Sequence, residues 1–326
     1  MIANARTDRV AWIAAVAVFV VHAAGNPHYG FFRDELYFII CGFHPAFGYV
    51  DQPPVTPLLA AGSQLFGHSL FLLRLVPALF AGAGAFVTCR LAAEFGGDTF
   101  AEILTALTFG FAGVLSAFGM KVGPDMAGLL LWPLIALYAL RIVRGGDPRL
   151  WLAAGVATGL AFETKYTVLF FAIALVAGLL LTKQRSALFT PWFAAGIAIA
   201  ALIGIPNVIW QAVHHFPMWE LLRNGHDEKN IHPSVLGYLF QQILITNLLF
   251  WPVWAIGLVV LLRDGTARFL GCTYVLLMVI MLALGAKDYY PGDSYPILFA
   301  AGSVAIARWL RWPVWRGLVA AYVTLA

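Results

Sequence analysis

Leu188-Phe-Thr-Pro-Trp-Phe-Ala-Ala-Gly-Ile-Ala-Ile-Ala-Ala-Leu-Ile-Gly-Ile-Pro-Asn-Val-Ile-Trp-Gln-Ala212 runs from 188 to 212 without one Asp, Glu, Lys or Arg. A helix of this length crosses a hydrocarbon layer of about 30 Å. Its apolar residues do not alternate with polar ones, as the strands of a membrane barrel require. A backbone in lipid must satisfy its own hydrogen bonds, so the run reads as a transmembrane helix. Similar runs cover about 10–24, 70–90, 99–118, 125–143, 150–163, 166–182, 236–262, 268–286 and 291–307, with a last one from Pro313.

The composition agrees, because 61% of the 326 residues are apolar and 11% charged, too few polar groups to cover a soluble globule of this size. The expected fold is all-α, a polytopic transmembrane bundle of about ten or eleven spans. One domain, 1–326, carries an outer loop at about 25–69. The final run stops at Ala326 without a polar flank, which reads as a crossing cut short in a piece of a longer protein, with any soluble carboxy-terminal domain absent from this chain. Cys41, Cys89 and Cys272 show no CxxC or metal-ligand spacing, so no disulfide framework is expected.

Arg6 and Arg9 precede the first run and set the amino terminus in the cytoplasm. Alternate threading then puts about thirteen of the 20 basic residues on that side, among them Arg141, Arg144, Arg149, Arg263, Arg268 and Arg308. The net charge of +4 is thereby a topological signal, and no nucleic-acid partner is implied. Most of the other ionisable residues fall on the non-cytoplasmic face. The runs 150–163 and 166–182 are short, and Glu163-Thr-Lys-Tyr166 sits at the outer turn between them.

Asp34 and Glu35 are adjacent carboxylates just beyond the first helix, flanked by Arg33 and aromatics. Mutual repulsion and partial burial split the pKa values of such a pair, which suits proton transfer. The same residues also suit the positive end of a helix. Asp125 follows Pro124 at the start of another span and reads as a helix cap or as a second acidic position on the same face. Lys165, Lys287 and Arg223 offer positive charge where a lipid phosphate would lie, and Tyr289 or Tyr290 offers a hydroxyl. Lysines that merely fix helix depth have the same placement. His214, His215 and His226 to His232 lack the spacing of a zinc site, so no metal or other cofactor is expected, a divalent ion being the minor alternative.

The loop Gly25 to Tyr37 with its Asp-Glu pair, followed by Gly48-Tyr-Val-Asp-Gln-Pro-Pro54, resembles the first outer loop of glycosyltransferase family 39, the protein O-mannosyltransferase and aminoarabinose transferase group. Lys121-Val-Gly-Pro-Asp125, Gly159 to Tyr166, Pro206 to Pro217 and Lys287 to Pro296 are similar to further segments of its bacterial members. The resemblance implies a GT-C fold and an inverting transfer of sugar from a polyprenyl phosphate to an acceptor hydroxyl. It implies Asp34 as general base, with Glu35 and Asp125 orienting substrates. Lys165, Lys287, Tyr289, Tyr290 and Arg223 would face the donor phosphate, and Arg33, Asp51, Gln52 and His215 the acceptor or sugar. Where the aminoarabinose branch typically has a phosphate-contacting lysine before its Pro-Pro pair, this chain has Gln52, which puts that contact in doubt.

Two other classes compete. A secondary transporter or flippase would also carry charges in or beside the membrane, but usually near the midplane, whereas here the spans' midplanes are almost entirely apolar. A noncatalytic relative that binds a polyprenyl lipid is the third reading. The expected setting is a bacterial inner membrane with the site facing outward; the sugar and the acceptor are not specified by the sequence.

Overall fold

The computed structural model describes residues 5–26, 30–65, 67–228 and 234–310, together with 317, 318 and 321. Most of the run from Pro313, and His28, Lys229 and His232 in the outer loops, lie outside the described residues.

The membrane bundle follows the apolar runs. Its helices are α1 (Ala5–Gly25), α2 (Arg33–Phe43), α3 (Val55–Ser63), α4 (Leu70–Glu94), α5 (Thr99–Phe111), α6 (Gly113–Met120), α7 (Gly128–Val143) and α8 (Leu150–Phe162). These continue with α9 (Val168–Leu180), α10 (Pro191–Val213), α11 (Pro217–Glu228), α12 (Val235–Ile245), α13 (Trp251–Arg263), α14 (Arg268–Ala283) and α15 (Tyr295–Trp309).

By length and composition, α4 and α10 each suffice to cross a membrane, and the bent pair α5 and α6 makes a third candidate. Shorter apolar helices of 10–17 residues lie in most of the other expected runs, among them α7, α8, α9, α13 and α14. Three expected boundaries change. The run 99–118 bends by 64° between α5 and α6. The run 236–262 is two helices, α12 and α13, parted by a turn in which Asn247 takes φ 84°. The outer loop of 25–69 contains α2 and α3, packed on each other so closely that a Cβ on Gly42 would strike the carbonyl of Pro57.

Starts are set by side-chain caps. Ser69 accepts from the Leu72 N–H at 3.3 Å, Asp98 from Ala101 at 3.0 Å and Thr190 from Phe193 at 3.2 Å, each satisfying an amide that the helix itself leaves open. Pro191 at the first turn of α10 lacks the N–H that would be orphaned there.

The core forms around α4, which packs on α1, α5, α6, α7 and α15. Trp132 of α7 stacks on Phe171 of α9 with centroids 4.5 Å apart, both rings fully buried. Lipid supplies no hydrophobic drive between helices, so close backbone approach at small residues matters. Gly257 and Gly302 face each other's helix across α13 and α15, and Gly155 meets Gly196 across α8 and α10, with no room for a Cβ. Only 17% of the most apolar window of α10 is buried, so its outer face is left for lipid.

One end of the bundle gathers Glu94, Arg141, Arg149 and Arg308. Arg141 Nε lies 2.7 Å from Glu94, Arg308 donates to the Phe95 carbonyl at 2.6 Å, and the Arg149 guanidinium covers Trp192 at 5.2 Å. The opposite end carries α2, α3, the α8–α9 turn and the loop before α15.

Candidate active site

At the start of α2 the adjacent carboxylates have separate environments. Glu35 is fully buried and accepts four donors: Arg74 Nε at 2.9 Å, Arg74 Nη2 at 2.8 Å, the Phe32 N–H at 2.9 Å and the Val122 N–H at 3.3 Å. Arg74 also donates to the carbonyls of Asn26 and Gly30, at 3.0 and 2.8 Å. One carboxylate therefore ties α2 to α4 and to the loop entering α7. Its lone pairs are committed, which makes Glu35 a positioning residue. Asp34 points outward, its side chain 45% exposed, and among the described residues hydrogen-bonds only with the still more exposed Arg33, Nε to Oδ1 at 2.9 Å.

Asp125 and Lys165 form a partly buried ion pair across the α6–α7 loop and the α8–α9 turn, with side chains 15% and 17% exposed. The Lys165 ammonium lies 4.3 Å from the centroid of Tyr290 and 5.1 Å from that of Tyr289, and Lys287 approaches Tyr289 at 5.9 Å. Aromatic faces stabilise such cations where water is partly excluded. The Tyr289 phenol is pushed up from its ordinary pKa, first by burial and then by the charges of Tyr290, Asp125, Asp288 and Asp34. It stays protonated and keeps its hydroxyl as a donor.

Asp293, in the 3-10 turn Gly292–Ser294, is buried and feels the charges of Asp125 and Lys165. Its carboxylate sits where a Cβ on Gly128 would be, so the first residue of α7 has to be glycine. Sequence reasoning left Asp293 out of the site, although it lies inside the quoted Lys287 to Pro296 segment.

Two helices hold the flanking loops. Asn207 of α10 donates to the Phe47 carbonyl at 2.8 Å and accepts from the Tyr166 hydroxyl at 2.8 Å, and Gln211 donates to the Tyr49 carbonyl at 3.0 Å. Asp51 accepts from the Tyr37 hydroxyl at 2.6 Å. On the other side Gln242 of α12 donates to the Asp288 carbonyl at 2.9 Å, and the Tyr238 hydroxyl to that of Lys287 at 3.2 Å. Gln52 is buried with neither amide atom bonded, beside Thr56, whose hydroxyl is likewise unpartnered. The Val55 N–H reaches the Glu163 carbonyl at 3.0 Å, and burial pushes the Glu163 carboxyl up to about 7.

The structure thus brings Asp34, Asp125, Lys165, Lys287, Tyr289 and Tyr290 to one end, with Asp51 and Gln52 in the adjoining loop. His215 is exposed in a left-handed turn after α10, φ 61°, and Arg223 is exposed on α11; both stand outside these contacts. Among the described residues no three His, Cys, Asp or Glu side chains converge as metal ligands.

An outward acidic residue and a lysine held among aromatics thus sit together at one end of a bundle of apolar helices. The model of the dolichyl-phosphate-mannose-protein mannosyltransferase family matches residues 51–210. The lipid A galacturonosyltransferase RgtD of Rhizobium johnstonii is 30% identical over 306 residues, 87% of this chain and 62% of that protein. The undecaprenyl phosphate-alpha-4-amino-4-deoxy-L-arabinose arabinosyl transferase of Pseudomonas savastanoi is 26% identical over 54% of this chain and 28% of its own length. The crystal structure of ArnT from Cupriavidus metallidurans bound to undecaprenyl phosphate shares the fold, with TM-score 0.71 at 18% identity over 95% of this chain and 61% of that one. Family model, curated relatives and fold all point to glycosyltransferase family 39, to whose aminoarabinose transferase-like members this chain is similar. It spans about three fifths of RgtD and of ArnT.

Proposed function

We propose that the protein is a glycosyltransferase that moves a sugar from a polyprenyl phosphate to an acceptor hydroxyl on the non-cytoplasmic face of a bacterial inner membrane. The observation that carries the proposal is the Asp125–Lys165 pair set against Tyr289 and Tyr290, with Asp34 exposed at the same end of the bundle. The names of its relatives support the donor class: one is titled for an undecaprenyl phosphate sugar, and the ArnT crystal structure holds undecaprenyl phosphate.

In this reading Lys165 and Lys287 meet the donor phosphate, with a hydroxyl from Tyr289 or Tyr290. Positive charge at the departing phosphate stabilises the transition state, so no general acid is required. Asp34 accepts the proton of the acceptor hydroxyl as that oxygen attacks the anomeric carbon from the opposite face, giving inversion. Asp125 keeps Lys165 oriented until phosphate arrives. Asp51 and Gln52 line the sugar or acceptor side, and the neutral Gln52 leaves the phosphate to the lysines. Arg33 pairs with Asp34 when no substrate is bound; His215 and Arg223 are candidates for outlying acceptor and donor contacts.

The test is transfer in membranes supplied with radiolabelled polyprenyl-phosphate sugars of several kinds. Turnover with one donor, abolished by Asp34→Asn, is expected. Lipid binding without turnover of any donor would favour the noncatalytic reading that Gln52 suggests, and coupled movement of a solute would favour a transporter.

A further inference from the structure

The end of the bundle opposite the candidate active site holds a second gathering of charge, around the short 3-10 helix Lys183–Leu188 that joins α9 to α10. Two hydrogen bonds fix that helix in place. Trp151 of α8 donates its indole N–H to the Ala187 carbonyl at 2.9 Å, and Gln184 donates to the carbonyl of Gly265, in the turn between α13 and α14, at 2.9 Å. The second bond sets Lys183 and Arg185, the neighbours of Gln184 in sequence, against the turn that carries Arg263 and Arg268. All four side chains belong to exposed residues. Arg268 spends its Nε on the Leu262 carbonyl at 2.8 Å, which holds its guanidinium on that turn. On the α8 side the guanidinium of the exposed Arg149 lies 5.2 Å from the Trp192 ring centroid.

None of these five cations has a carboxylate at ion-pair distance among the described residues. The acids of the same turns are engaged with backbone: Asp147 accepts the Arg149 N–H at 2.8 Å, and Asp264 those of Thr266 and Ala267 at 2.7 and 2.6 Å. Arg149, Lys183, Arg185, Arg263 and Arg268 against Asp147 and Asp264 leave a surplus of three positive charges. Sidedness alone requires only that basic residues lie on one face of the membrane. It does not require two basic turns bonded to each other. At the two ends of the 3-10 helix, Leu181 and Phe189 are 71% and 75% exposed. Bare apolar side chains beside exposed cations suit the boundary between acyl chains and head groups.

We propose that these two turns form a binding site for an anionic phospholipid with two phosphates in its head group. Lys183 and Arg185 meet one phosphate, Arg263 and Arg268 the other, and the acyl chains lie along Leu181 and Phe189. Ammonium and guanidinium groups make strong charge-assisted bonds to phosphate, and basic pockets between membrane helices recognise such head groups. Lys165 and Lys287 stand at the other ends of α8, α9 and α14, so this site is separate from the one proposed for the donor phosphate. It does not depend on the transferase reading.

The test is a lipid titration of the purified protein in nonionic detergent, read by native mass spectrometry. The probes are tetraoleoyl cardiolipin, with two phosphates, dioleoylphosphatidylglycerol, with one, and the zwitterionic dioleoylphosphatidylcholine. Cardiolipin is expected to bind at least tenfold more tightly than phosphatidylglycerol, and phosphatidylcholine more weakly still. Lys183→Gln and Arg268→Gln should each weaken cardiolipin by about fivefold, with lipid-free melting temperatures close to that of wild type. Arg9→Gln removes the same charge from the same end of the bundle, on α1, which packs on α4, α5 and α6, and should leave cardiolipin binding unchanged. Equal affinity for cardiolipin and phosphatidylglycerol would overturn the two-phosphate head group. Equal losses in Arg9→Gln and Lys183→Gln would show a diffuse surface charge, and undiminished binding in Lys183→Gln and Arg268→Gln would overturn the site.

Discussion

Arg74 grips Glu35 through two nitrogens, Nε at 2.9 Å and Nη2 at 2.8 Å, where the two side chains are 7% and 0% exposed. Breaking a buried pair from one side strands a charge, whereas replacing both partners with apolar groups is often close to neutral. Arg74→Ala should cost about 3–5 kcal/mol of unfolding free energy. Arg74→Met combined with Glu35→Leu should recover most of it. Unfolding in graded denaturing detergent checks both, and equal losses in the single and double variants would show that the pair's charge is not what matters.

Lys165 should govern donor affinity and not acid–base chemistry. Replacing it with Met removes a charge-assisted contact of about 1.5–3 kcal/mol, so binding of undecaprenyl phosphate should weaken by about 10- to 150-fold. Asp125→Asn frees the ammonium and should change that affinity far less. Titration of the lipid against the three proteins is the measurement.

Glu163 should make stability depend on pH. Burial raises its carboxyl from an ordinary 4.5 to about 7, so between those values the folded protein binds more protons than the unfolded chain. Stability is then fully present below 4.5, falls as pH rises towards 7, and is level above it. The melting temperature of wild type should drop relative to Glu163→Gln between pH 5 and pH 8. A constant difference across that range would place the titration elsewhere.

Asn207→Leu removes two hydrogen bonds, to the Phe47 carbonyl and from the Tyr166 hydroxyl, and leaves the latter only its contact with the Gln211 amide at 3.3 Å. Each lost hydrogen bond costs about 0.5–1.5 kcal/mol. Hydrogen exchange in residues 46–52 should speed up while that in α4 stays slow. Unchanged exchange in the loop would show that α10 does not hold it.

The bundle was legible because lipid imposes length and hydropathy on every span, and Leu70–Glu94 and Pro191–Val213 follow their apolar runs closely. The break at Asn247 was hidden, since a left-handed residue between two apolar helices leaves hydropathy unchanged. Asp34, Asp125 and Lys165 stood out as charges at helix ends, and the structure brings them to the same end. Arg74 did not stand out: its partner is 39 residues away along the chain, and within an apolar run it read as part of a span. Asp293 escaped because its place depends on Gly128 lacking a side chain. The Pro206 to Pro217 segment was noticed for its resemblance, but its grip on the first outer loop depends on pairings over long separations such as Asn207 to Phe47.

The central claim is that Asp34 takes the acceptor's proton. The direct test is Asp34→Asn in the full-length protein, with donor binding and sugar transfer measured on the same preparation. Donor affinity should be unchanged, while transfer at saturating donor falls by about 10²–10⁴-fold, the usual contribution of a general base. Transfer at the wild-type rate, or a loss explained wholly by weaker donor binding, would contradict it.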